Sequence, residues 1–65
     1  MMINTMILKL LSDRRPERLT TYEIAKTIKI SWSTASVHLY QLSASNKIKH
    51  KTEIVKHIKK TYWFL

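Results

Sequence analysis

The chain has no cysteine, no glycine, a single proline and only four carboxylates in 65 residues. Without cysteine there are no disulfide staples and no thiolate metal ligands. Without glycine there is no phosphate-cradling loop, and every tight turn must be made by residues that carry a Cβ. Of the four acids, Glu23 is taken up by a helix cap and Asp13, Glu17 and Glu53 are spread along the chain. No nucleophile–base pair can be drawn from them, so no catalysis is expected. His38, His50 and His57 lack metal-ligand spacing, so neither a metal nor another cofactor is expected. Long apolar runs are missing too. The opening MMINTMILKLL falls far short of the roughly 20 residues that span a bilayer, and it lacks the basic start and small-residue cleavage site of a secretory signal. The expectation is a cytoplasmic protein with no membrane partner.

What the chain does have is positive charge. Twelve Lys and Arg give a net charge of +8 and a sequence pI near 10.1, a balance that favours a polyanionic partner. The charge leans toward the C-terminal half: residues 1–32 carry six bases and three acids, residues 33–65 six bases and one acid. A hydrophobic fraction of 45% supports a small core and argues against disorder. A chain of this length forms one domain, residues 1–65, which buries only about 60% of its unfolded surface and depends on good capping or on oligomerisation.

Ile3, Met6, Ile7, Leu10 and Leu11 recur at the spacing of an amphipathic helix, about residues 2–14, ended by Arg14, Arg15 and Pro16. Arg18, Leu19 and Thr20 read as a short extended link. Thr20 and Glu23 then fit a capping box, with Leu19 and Ile24 placed as a hydrophobic staple, opening a helix over about 21–28 that buries Ile24, Ala25 and Ile28. Ser31 caps a third helix over about 32–45. Its Ala35, Leu39 and Leu42 face inward, leaving Trp32, Ser33, Ser36, Val37 and Tyr40 outside, and Asn46 stops it as a substitute for glycine at a left-handed position. From Lys47 the period changes to two. Ile48, His50, Thr52 and Ile54 alternate with lysines as a half-buried strand, followed by a second strand over about Lys59 to Phe64, with the turn near Lys56 and His57.

LTTYEIAKTIKIS, SWSTASVHLYQL, NKIKHK and TYWFL, in this order of helix, short strand, helix, turn, helix and hairpin, resemble the winged helix-turn-helix family of small bacterial and archaeal regulators. The resemblance implies an α+β, mostly helical fold: three helices with a C-terminal β-hairpin wing over about residues 47–65. It also implies a double-stranded DNA partner, a role in transcription and a nucleoid-associated location, with the third helix in the major groove. By position it places Trp32, Ser33, Ser36, Val37 and Tyr40 nearest the bases, and Thr34, His38 and Gln41 nearer the phosphates. Lys47, Lys49, Lys51, Lys56, His57, Lys59 and Lys60 would arm the wing.

Two departures bear on mechanism. Most relatives have glycine where this chain has Lys29, so either the turn differs or a lysine adopts positive φ at a cost of about 1–2 kcal/mol. The third helix also offers no arginine or lysine to the groove, so bidentate recognition of guanine is missing from it.

Trp63 and Leu65 share one strand face, Tyr62 and Phe64 the other. One pair fills the core and the other is left exposed. Together with Ile3 and Ile7 of the first helix, Tyr62 and Phe64 are the expected homodimer interface. No small-molecule ligand is expected. Two alternatives stand beside duplex binding: a protein-interaction adaptor built on Tyr62, Phe64 and the first helix, and a binder of left-handed duplexes. The second rests on Tyr40 and Trp63, which lie where Z-alpha domains use a tyrosine and a tryptophan. Against it, Ser36 and Lys60-Thr61 replace that group's asparagine and paired prolines.

Overall fold

The computed structural model describes residues 2–65. Along the chain run α1 (Met2–Asp13), β1 (Leu19–Thr20), α2 (Thr21–Ile28), α3 (Trp32–Ala44), β2 (Lys49–Val55) and β3 (Ile58–Phe64). The strands form one antiparallel sheet in the order β1-β3-β2. Three helices and a β-hairpin wing make this a winged helix-turn-helix fold.

Local chemistry accounts for both ends of α2 and for the C-terminal end of α3. The Thr20 hydroxyl accepts from the Glu23 amide at 3.2 Å while the Glu23 carboxylate accepts from the Thr20 amide at 3.1 Å, a complete capping box. Lys29 closes α2 at φ 60°, ψ 49°, so the lysine itself takes the left-handed position. Its neighbour's amide, on Ile30, donates to the Ala25 carbonyl at 3.0 Å, and Ile30 packs against the core. At the end of α3, Asn46 sits at φ 59°, with Asn46 donating to Ser43 and Lys47 donating to Leu42, each at 3.0 Å. That pair of bonds is a Schellman motif. In the wing, Lys56 and His57 both have positive φ, 51° and 67°, between paired Val55 and Ile58. A two-residue hairpin turn of type I′ requires this, and here it is made without glycine.

The core gathers Ile7 and Leu11 of α1, Leu19 of β1, Ile24 and Ala25 of α2, Ala35, Leu39 and Leu42 of α3, together with Ile48 and Trp63. Trp63 is fully buried, and its indole N–H donates to the Thr21 hydroxyl at 2.8 Å, so the one polar atom of the ring is satisfied.

Four expectations are corrected. Ile7 is 0% exposed; it sits at the centre of the α1 stripe and cannot belong to a dimer interface. Met6, on the edge of that stripe, is exposed. The strand β2 is not half-buried: of the alternating set only Ile48, which precedes it, is covered, and Ile54 is 73% exposed. The reason is geometric, since the far half of the hairpin extends past the helices and has nothing to pack on. Tyr62 and Phe64 are half-buried, not bare, and the Arg18 guanidinium lies 5.1 Å from the centre of the Phe64 ring.

Candidate nucleic-acid interface

The helix α3 begins at Ser31, whose hydroxyl accepts from the Thr34 amide at 3.2 Å and donates to the Thr34 hydroxyl at 2.8 Å. With Ala35, Leu39 and Leu42 buried, the opposite face carries Trp32, Ser33, Val37, Tyr40 and Gln41 as exposed side chains and Ser36 as a half-buried one. The helix holds no acidic residue. His38 turns elsewhere: its Nδ1 lies 2.8 Å from the Asn4 amide oxygen, tying α3 to α1 in a partly buried contact.

Tyr40 is the hinge between helix and wing. Its ring meets Trp63 edge-on, centroids 5.0 Å apart at 87°, and stands 6.3 Å from His50. His50 packs on Trp63 at 5.2 Å and lies 2.8 Å from the Ser43 hydroxyl through Nδ1. Thus one strand residue of the wing is fixed to α3 through both an aromatic and a polar contact.

The wing lysines do not form one row. His50 pairs across the hairpin with Trp63, whereas Lys49 pairs with Phe64 and Lys51 with Tyr62. Successive side chains alternate between faces, so Lys49 and Lys51 lie on the face away from Trp63 and the core. Lys51 also holds Glu53 at 3.7 Å in an exposed ion pair. Lys56 and His57 occupy the tip, and Lys47 lies in the link between α3 and β2. Lys59, on the Trp63 face, lines a groove with Thr61 of β3, Trp32, Ser36 and Tyr40 of α3, and residues 20–23 at the start of α2. Lys60 also borders it but falls on the same sheet face as Lys51.

Residues 20–23 were not among the expected contacts. Tyr22 is 64% exposed, with the Lys26 ammonium 6.0 Å from its ring centre. The sequence did hold a signal for it: Tyr22 falls off the Ile24, Ala25 and Ile28 stripe, and an aromatic left outside a core stripe has an unassigned face. Glu23 also lines this groove, and its carboxylate is engaged by the Thr20 amide and hydroxyl at the positive end of α2.

Among the described residues no cluster of side chains could hold a metal ion, and no helix is long and apolar enough to cross a membrane.

The sequence model of a protein family described as bacterial regulatory protein, arsR family, matches residues 5–48, from within α1 to the residue before β2. No curated protein and no solved structure matches the chain.

Proposed function

Because the chain belongs to the arsR family of bacterial regulatory proteins, a family of winged helix-turn-helix DNA-binding transcriptional regulators, we propose that α3 enters the major groove while the wing lysines neutralise adjacent phosphates. The observation that carries this reading is the acid-free outer face of α3, set across a groove from Lys59 and Lys60. A helix in the major groove needs small polar and apolar side chains at base edges, and Ser33, Ser36, Gln41 and Val37 provide them, Val37 for thymine methyls. With no basic residue on that face, sequence discrimination is modest and affinity comes chiefly from phosphates.

The test is fluorescence anisotropy of a labelled duplex titrated at several salt concentrations. Affinity falls with a log–log slope of about −0.9 per phosphate neutralised. Ser36→Glu places a carboxylate against the DNA and abolishes binding while circular dichroism stays native. Unchanged affinity for a folded Ser36→Glu protein would remove α3 from the interface.

The edge-on pair of Tyr40 and Trp63 supports a second reading, a left-handed duplex as partner. An alternating CG duplex whose circular dichroism inverts on adding the protein would favour it. A spectrum that stays right-handed at saturation would eliminate it.

A further inference from the structure

The groove between α3 and the wing is richer in aromatic rings than contact with duplex edges requires. Tyr22, Trp32 and Tyr40 line it, with 64%, 58% and 52% of their surfaces exposed. They come from two helices, so the concentration is a product of the tertiary fold and not of one helix stripe. Trp32, Ser36 and Tyr40 follow one another at four-residue spacing, which puts the two rings about 12 Å apart along the helix axis. The small Ser36 side chain leaves the space between them open. Lys59 and Lys60 border it, as does Glu23, whose carboxylate is already engaged by the Thr20 amide and hydroxyl, and the volume, about 690 Å³, falls within the range of small-molecule sites.

An exposed ring offers a flat apolar face, and a nearby ammonium offers a counter-charge. The complement of that combination is a planar ring carrying an anion. Bases stacked inside a duplex present only their edges to a protein, whereas an unpaired nucleotide presents both a face and a phosphate. We propose that this groove binds an unstacked nucleotide, presented by single-stranded DNA, with its base against the rings of Trp32, Tyr40 or Tyr22 and its phosphate on Lys59. The inference goes beyond duplex recognition, since it uses the faces of bases and not their edges.

Intrinsic fluorescence of the full chain tests this, because Trp63 is fully buried and Trp32 is the exposed indole. An oligothymidylate of about 15 nucleotides, thymidine monophosphate and a duplex are titrated in parallel at low salt. Saturable quenching by the oligonucleotide, lost in Trp32→Phe, supports the proposal with a strand as the source. Saturable quenching by the mononucleotide at similar concentration supports the same chemistry with a free nucleotide as the source. Tyr22→Ser weakens single-strand binding about tenfold and shifts the ratio of single-strand to duplex affinity downward. No quenching by either ligand while the duplex still binds overturns the proposal and leaves duplex recognition intact. An equal loss of single-strand and duplex affinity in Tyr22→Ser also overturns it. Failure of all three ligands to bind would overturn both readings together.

Discussion

Tyr40 stands edge-on to Trp63 at 87°, so an exposed side chain of α3 is held in place by a ring that is itself fully buried in the core. Surface chemistry and domain stability therefore share one contact. The indole in turn is anchored by Thr21 at the start of α2. The three elements that meet around the groove are thus connected through a single side chain, Trp63.

Substitution at Tyr40 separates the two roles. An aromatic pair contributes about 0.5–1.5 kcal/mol beyond its buried area. Tyr40→Ala lowers the urea-unfolding free energy by about that amount or more and also weakens DNA binding. Tyr40→Phe keeps the stability, so any loss of affinity it shows reports the hydroxyl alone. Full stability in Tyr40→Ala would contradict the structural half of this account.

Thr21→Val replaces the acceptor of the buried indole N–H by a side chain of similar shape that cannot accept. An orphaned buried donor costs about 1–3 kcal/mol. For a domain of this size that corresponds to a fall in Tm of at least about 4 °C, read by thermal circular dichroism. An unchanged Tm would mean that the indole N–H finds another partner.

Lys29, Lys56 and His57 hold left-handed backbone that glycine or asparagine adopts more easily. Lys29→Gly raises stability by up to about 1 kcal/mol, and Lys56→Asn with His57→Gly does the same for the wing turn. Denaturant melts measure both. Destabilisation by either change would show that these side chains make contacts worth more than the strain.

The division of the wing lysines between faces has a consequence for binding. Lys59→Ala, on the Trp63 face that borders the groove, shallows the salt slope by about 0.9 if it removes one phosphate contact. Lys49→Ala with Lys51→Ala has a smaller effect per lysine, because both lie on the face away from the core and Lys51 is already paired with Glu53. An equal effect per lysine from the two variants would mean that the DNA wraps around both faces of the wing.

Ile7→Ala tests the corrected place of that residue. Removing a fully buried isoleucine costs about 2–5 kcal/mol, enough to unfold much of a small domain. Ile3→Ala, at a half-buried position, costs less. Similar melts for the two variants would contradict the burial of Ile7.

What could be read directly from the chain was decided by near neighbours. The Thr20–Glu23 box, the Ser31 cap, the stop at Asn46 and the turn at Lys56-His57 each involve groups within a few residues of one another, where residue type and hydrogen-bonding reach settle the conformation. The inward positions of α3 were legible for the same reason, because helical spacing is a local property. Lys29 marks the limit of such reading: its side chain gives no hint of positive φ, which the closure of α2 by Ile30 imposes. Longer-range features depended on the meeting of distant segments. Trp63 finds Thr21 across 42 residues, and β3 lies between β1 and β2. Those contacts chose which aromatic of TYWFL is buried, which half of β2 is left uncovered and which lysine of β3 faces the groove. Tyr22 came to line the groove beside α3 by the same route. Local hydrogen bonding and periodicity thus determined the elements and their ends, while packing between segments far apart in sequence decided which side chains share a surface. No short-range pattern encodes that choice, because it depends on which faces remain uncovered once the core has closed.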